Sequence, residues 1–398
     1  MKQKAVNEFE NKNYPEAITL LKQAVVENPN DAEIYYYLGY FTHYLCYDSV
    51  PLTGFSIEKS DEILEYLQKA IELNPKNGNA YYFIGAEYGA RFSNAMRKGD
   101  MERMRVEMQA GREKGGYPDW LIEYGQNMLR SCESNAILFT GGDADANAVW
   151  YLQFAENYRR DITAMPVALL NRPWFVLVLK LGLGDNLIAA PISWSEEQIL
   201  DMHPYKWKTN KLEVSVPPSE LTKYDVSLPQ NVMTWELKSD LSRGSQELLS
   251  PARALIANIV KTNQWQRPIY FSVACPKAKM ADLDNHLQLC GLVYKLLPVE
   301  TKENALALDP ETIETVLLQP DHYRDFGTVK EKDMPRASVI LNNYRAVLTS
   351  LAKYYIDSGK KSKVKGVLDK MEAYLPEAVF PFHAGFNQAI ETLRSQLE

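Results

Sequence analysis

The stretch from Ala136 to Trp174, AILFTGGDADANAVWYLQFAENYRRDITAMPVALLNRPW, constrains the fold of this chain most. It opens with a short apolar run, Ala136 to Phe139, which Gly141-Gly142 ends as a buried strand. Two acids follow, Asp143 and Asp145, each suited to cap the helix that comes next. In that helix Ala148, Leu152 and Ala155 recur at i, i+4 and i+7, with Trp150 and Tyr158 beside them, so one face is apolar. A second apolar run, Ile162 to Leu170, closes the unit. Strand, tight loop, helix and strand in about 35 residues form a βαβ unit, and such units build parallel sheets. Ligands of open parallel sheets sit outside the carboxyl ends of the strands. The Gly-Gly-Asp-Ala-Asp turn is therefore the first place to look for function. Pro166 interrupts the second run; central strands exclude proline, so a bulge or an edge position is expected there.

The chain has 398 residues, enough for two or three domains with their own cores. A net charge of -7 argues against a nucleic-acid binder, because phosphate neutralisation needs clustered Lys and Arg. The cluster Lys360-Lys361 with Lys363 and Lys365 reads as the solvated face of a helix. No segment approaches the ~20 apolar residues of a membrane span. The amino terminus, MKQKAVNEFENKNY, has no apolar core of a signal peptide. A cytoplasmic protein is expected, or a periplasmic one if a precursor was trimmed. Cys46, Cys132, Cys275 and Cys290 show no paired spacing and read as reduced, buried thiols.

Repeats frame this centre. Ala17, Leu21, Ala24 and Pro29 fall where a 34-residue tetratricopeptide repeat places its small, large and helix-ending residues. The next unit carries Tyr35, Leu38 and Gly39, then Leu67, Ala70 and Pro75, with an insertion near Tyr47 to Lys59 marked by Pro51 and Gly54. A third opens with Tyr81, Ile84, Gly85 and Tyr88 and continues in a Met- and Arg-rich run to Arg112. Ala352, Tyr355, Gly359, Leu368 and Pro376 return to the same register, and Phe386 to Leu397 forms a closing amphipathic helix. The fold expected is tetratricopeptide-like helices over 1–130, an α/β domain with a mainly parallel sheet over 131–335, and tetratricopeptide-like helices over 336–398. Within the α/β segment the pattern predicts strands at Val232–Leu237, Pro268–Val273 and Leu292–Leu297. It predicts helices at Pro251–Lys261 and Asp282–Leu289, and leaves 186–245 largely unassigned.

Several motifs recur in one order: the strand-Gly-Asp-x-Asp turn, Trp150-Tyr151-Leu152-Gln153, Arg160-Asp161 and Leu169-Leu170-Asn171. Asn263-x-Trp265-x-Arg267-Pro268-Ile269-Tyr270-Phe271 and Gly291-Leu292-Val293-Tyr294 follow. Over about residues 116 to 380 the chain resembles the soluble C-terminal region of bacterial multi-pass, O-mannosyltransferase-like membrane proteins, whose tails join this module to tetratricopeptide helices. The membrane-embedded half, where the resemblance places the transferase site, is not in this sequence. The turn also reads Gly-Gly-Asp-Ala-Asp-Ala, where relatives more often have Asn and Thr among the acids.

Asp143 and Asp145 form an Asp-x-Asp after a strand, the arrangement some sugar-nucleotide transferases use to hold a divalent metal. The alternative is that both acids cap a helix and brace the turn. Asn147, Asn171, Arg172, Lys277 and Lys279 should share that edge if the sheet is parallel, and acids beside Lys and Arg suit a metal-phosphate or sugar ligand. Arg267 precedes its strand, so it belongs at the opposite end, as a structural residue or a cap. The five histidines are isolated, and no GxSxG elbow, Walker loop or complete GxGxxG is present. Two functions follow. The first is a non-enzymatic scaffold, binding a protein or peptide through the repeats, with no cofactor and no nucleic acid. The second is a sugar- or nucleotide-sugar-binding, glycosyltransferase-related module centred on Asp143 and Asp145, with a divalent metal.

Overall fold

The computed structural model describes residues 1–47, 54–301, 305–381 and 384–396. The chain forms two compact units, 1–121 with 329–337 and 122–328 with 338–398.

The first unit is built of helix pairs: α1 (Lys2–Glu10) with α2 (Tyr14–Glu27), α3 (Ala32–Tyr47) with α4 (Ile57–Leu73), and α5 (Gly78–Lys98) with α6 (Met101–Glu113). Small residues set the approach within each pair. Ala17, Ala24 and Ala70 are completely or almost completely buried. A methyl group on Gly39 of α3 would lie 2.6 Å from Leu67 Cδ2 of α4. The helix starts are capped as the residue types require: Ser56 Oγ accepts from Lys59 N–H, Asn77 from Ala80 and Asp100 from Arg103. Gly99, at φ 67°, closes α5 in a left-handed cap. The insertion between α3 and α4 falls partly on residues 48–53, Pro51 among them, which lie outside the described residues.

The second unit opens with α7 (Asp119–Arg130), whose first residues belong to the first unit. β1 (Ile137–Thr140), α8 (Asp143–Trp150) and β2 (Thr163–Pro166) then make the expected βαβ unit. α8 runs on into a π-helical turn, Tyr151–Ala155. Only the first part of the apolar run 162–170 is strand; Val167–Asn171 turns as a 3-10 helix into α9 (Pro173–Leu181). Residues 186–250, the part without clear pattern, hold short helices α10 (Glu196–Leu200) and α11 (Pro218–Thr222) and strands β3 (Tyr205–Lys206), β4 (Asn210–Ser215), β5 (Val232–Leu237), β6 (Leu241–Arg243) and β7 (Gln246–Leu249). These strands pair antiparallel, as β4-β5 and as β3-β7-β6. α12 (Pro251–Asn263), β8 (Ile269–Ser272), β9 (Leu287–Cys290) and β10 (Val293–Leu296) follow.

The main sheet has the order β2-β1-β8-β10-β9. β1 runs parallel to β2 and β8, as expected, while β10 pairs antiparallel with β8 and β9, so the sheet is mixed. The helix expected over 282–289 is only a 3-10 turn, Asp284–His286, and the rest is β9. A two-residue hairpin turn, Gly291 (φ 63°) and Leu292, folds β9 against β10 and overrides the helical reading. Pro166 ends β2, which is an edge strand; there its missing N–H costs no ladder bond. Phe139 and Phe271 stack at 4.8 Å between β1 and β8 in the core.

The C-terminal helices belong to this unit from residue 338 on. They follow α13 (Pro310–Leu317) and comprise α14 (Met334–Asp357), α15 (Lys361–Tyr374) and α16 (Ala384–Ser395). Gly359 at φ 71° separates α14 from α15, and Ala352, Tyr355 and Leu368 are buried. Arg345, 1 % exposed, donates to the Leu375 and Phe380 carbonyls and pins the chain after α15. Ile390 and Leu393 of α16 are buried; Leu397 and His383 lie outside the described residues.

Candidate functional site

The turn after β1 is shaped by a close approach of main chains. A methyl group on Gly141 would lie 2.5 Å from the Ala274 carbonyl oxygen, just past the end of β8, so only glycine fits. Gly142, not an acid, is the N-cap of α8, and no side chain caps that end. The acids lie in the first turn of the helix, where its dipole favours negative charge.

Asp143 and Asp145 are placed very differently. Asp143 is exposed. Asp145 is 3 % exposed, and Oδ2 accepts from the Gly141 N–H at 3.2 Å and from Ser272 Oγ of β8 at 2.5 Å. The Tyr124 hydroxyl of α7 donates to the same carboxyl and itself accepts from Asn343 Nδ2 of α14 at 3.2 Å. Burial raises the Asp145 carboxyl above the usual range, against the hydrogen bonds from Ser272, Gly141 and Tyr124. This network joins α7, α8, β8 and α14. Sequence reasoning missed Ser272, Tyr124 and Asn343, because they are scattered over more than 200 positions and carry no shared motif.

The other edge residues separate. Asn147 is buried in α8. Asn171 is turned to α12, where its Oδ1 accepts from the Ala252 N–H at 3.1 Å and so caps that helix. Arg172 is exposed at the start of α9. Lys277 and Lys279 are exposed on the 3-10 turn after β8. Asp145 and Lys279 both act on the buried Cys275 thiol, which burial first and then Asp145 push up to about 12, against Lys279. The structure thus gathers Asp145, Ser272, Cys275 and Lys279, and sends Asn171 elsewhere. Two larger cavities of this unit, about 560 Å³ beside Trp235 and His286 and about 420 Å³ beside Trp194, Tyr205 and Trp207, are lined by none of these edge residues. Among the described residues no group of three or more His, Cys, Asp or Glu side chains is placed to hold a metal ion.

At the amino ends of the parallel strands, Arg267 does what its position before β8 implies. Nε donates to the Asn135 carbonyl, Nη1 to Ala189, and Nη2 to Ala136 and to Thr163 Oγ1, at 2.6 to 3.0 Å. Burial lowers its guanidinium to about 10, against the Asp161 charge. One cation ties β1, β2 and β8 together.

The first unit offers a different surface. On α1, α3 and α5, the first helices of the repeats, aromatic rings form a continuous row. Phe9 stacks on Phe41 at 3.9 Å, Tyr40 meets Phe83 at 4.6 Å, and Tyr36 lies 6.0 Å from Tyr40. Phe41 is buried as core, whereas Phe9, Tyr36, Tyr37, Tyr40, Tyr44, Tyr82 and Phe83 are half-buried. Beneath the row His43 Nδ1 lies 2.8 Å from Glu87 Oε2, and the Tyr47 hydroxyl donates to Glu87 Oε1 at 3.1 Å.

With both surfaces described, the comparisons with known proteins can be placed on them. Among curated proteins none matches this chain. No helix among the described residues is long and apolar enough to cross a membrane. A tetratricopeptide repeat model matches residues 7–43, which run from α1 to α3. The model of TMEM260-associated domain 2 matches residues 121–204 and 205–316, which hold the main sheet and both small ones. The chain therefore carries a tetratricopeptide repeat at its amino terminus and a TMEM260-associated domain at its centre.

Proposed function

We propose that this protein is a non-enzymatic interaction scaffold, in which the repeat helices bind a protein or peptide partner and the α/β unit serves as a rigid hub, accessory to glycosylation. The observation that carries the reading is the contrast in how the two surfaces use their functional groups. Asp145 is turned inward onto Gly141, Ser272 and Tyr124, while the rings of Tyr36 and Tyr40 on α3 and of Phe83 on α5 stay half-exposed. Half-exposed tyrosine rings are what protein interfaces favour: large contact area at low entropic cost. The glycosylation link comes from the TMEM260-associated domain and from the resemblance to O-mannosyltransferase-like proteins. Site-specific photo-cross-linking from position 40 of the full chain tests the reading. It should yield discrete protein adducts, and adducts no different from those of an exposed α2 position would count against it.

The second reading, a nucleotide-sugar site at the turn, is favoured only by the exposed Asp143 in the first turn of α8. Calorimetric titration with Mn²⁺ or Mg²⁺ plus a nucleotide sugar separates the two. No heat is expected from wild type or from Asp143→Asn; tight metal-dependent binding by wild type alone would make this the better reading.

A further inference from the structure

One stretch distant in sequence belongs to the repeat unit. Residues 329–337, VKEKDMPRA, pack on the start of α5. Lys332 Nζ sits 3.3 Å from the centre of the Tyr81 ring, and the Arg336 guanidinium 3.9 Å from the centre of Tyr82. Arg336 Nε lies 3.3 Å from Asn79 Oδ1, and Lys76 pairs with Glu331 at 2.8 Å. Gly78 makes this approach possible: a methyl group there would lie 1.8 Å from the Lys332 carbonyl oxygen. A cation over an aromatic face is attracted by the ring quadrupole, so a pair of adjacent tyrosines with a glycine before them selects Lys and Arg.

Part of this arrangement recurs one repeat earlier, where Ala32 stands in place of Gly78. Tyr35-Tyr36, Leu38 and Gly39 stand 46 positions before Tyr81-Tyr82, Ile84 and Gly85. At that earlier position acids replace amides: Asp31 and Glu33 stand where Asn77 and Asn79 stand in α5, and they already hold a cation, Lys2, at 2.9 and 2.6 Å. Lys2 is held there by carboxylates, whereas at α5 the basic groups lie over the rings. A cavity of about 280 Å³ lined by Asn77, Gly78, Asn79, Lys332, Pro335 and Arg336 lies beside the contact with 329–337.

Resting on the scaffold reading above, we infer that the Tyr81-Tyr82 pair at the start of α5 is a docking surface for a basic partner segment with Lys and Arg four residues apart, and that residues 329–337 fill it as an internal ligand. A tethered ligand competes at an effective concentration on the order of millimolar, so it sets a threshold that a partner must exceed.

The test uses the full chain and a fluorescent peptide of residues 327–339, GTVKEKDMPRASV, read by anisotropy. Wild type should bind weakly. The double variant Lys332→Ala with Arg336→Ala empties the internal position and should bind the peptide at least about tenfold more tightly. Adding Gly78→Ala to that variant should abolish the gain, although it leaves α5 with a better helix former. Tyr82→Leu in the same background should do likewise, and a peptide with Glu at both basic positions should bind none of the proteins. Equal binding by wild type and the double variant, or equal capture of the charge-reversed peptide, overturns the inference. If the released chain takes only the acidic peptide, the scaffold reading stands and the basic specificity falls. If it takes neither, the inference falls, and the cross-linking from position 40 decides the scaffold reading by itself.

Discussion

Tyrosine is used in opposite ways in the two units. In the repeat unit Tyr36 and Tyr40 lay their rings along a half-exposed face, and their ring neighbours are one to four positions away or on an adjacent repeat. In the α/β unit Tyr124, Tyr323 and Tyr344 are buried. Two of their hydroxyls bond to groups far away in sequence, Tyr124 accepting from Asn343 and Tyr344 from Asn127, while Tyr323 donates to the nearby Leu317 carbonyl. Burial pushes all three phenols well above their usual range, so they stay neutral donors and acceptors. The charged groups follow the same division. Arg336 rests on a ring, whereas Arg267 and the buried Arg345 are spent on main-chain carbonyls. A repeat stacks local units and leaves one face for others; a mixed sheet must satisfy its polar ends from within.

The comparison breaks hardest at Arg267. Arg267→Ala removes the donor from the carbonyls of Asn135 and Ala189, while Ala136 keeps the Thr163 N–H, and should cost about 2–4 kcal/mol. Six of the seven tryptophans lie in 122–328, so urea unfolding followed by tryptophan emission reports this unit. A midpoint unchanged from wild type would mean the tie is dispensable. In the repeats the limiting factor is instead the closeness of the helices. Ala70→Leu should overpack the α3–α4 pair and cost roughly 1–3 kcal/mol, seen as a lower melting temperature by far-UV circular dichroism. Full retention of the melt would refute the close-packed register.

A smaller effect sharpens the contrast in titration. Burial lowers His286 below its ordinary 6.5, against the Glu300 charge. The unfolded chain then takes up a proton that the folded one refuses. Stability is whole above about 6.5 and falls as the pH drops below it, by at most about 1.4 kcal/mol per pH unit. His286→Gln should flatten the urea midpoint between pH 6.5 and 5; an unaltered slope would assign the loss to other groups. Smallest of all is Asp143→Asn. The side chain is exposed and is not the cap of α8, so stability should move by less than about 0.5 kcal/mol. A larger loss would show that the turn depends on this charge.

Much of the frame is legible in sequence because its signals are local. Alanines at repeat spacing announce close helix crossings, and Ala17, Ala24 and Ala70 are buried. The run Ala136–Phe139 ending in glycines becomes β1, and Pro166 calls for a bulge or an edge, the second of which is where β2 lies. Arg267 ahead of its strand belongs at the amino end, and its three donors find the carbonyls there. The misreadings share a cause. Residues 282–289 have enough apolar positions for a helix, but β10 supplies a partner that turns 287–290 into strand. The pattern leaves residues 186–245 largely unassigned apart from the strand Val232–Leu237, which is β5, because the small antiparallel sheets there pair residues tens of positions apart, as with Asn210 and Leu237.

By itself the sequence determined the repeat register, the βαβ unit and the glycine turn at its switch, since each depends on spacing within one or two elements. Only the tertiary structure decided what the two acids of that turn do. Asp143 and Asp145 look equivalent as letters, but one turn of helix points them in different directions. Asp145 meets Ser272 and Tyr124 in the interior, and Asp143 faces water. The same holds for 329–337, which carries no motif of its own although the fold lays its Lys332 and Arg336 over Tyr81 and Tyr82. Contacts between residues hundreds of positions apart leave no periodic trace, because what pairs them is the path of the whole chain rather than the geometry of any one element.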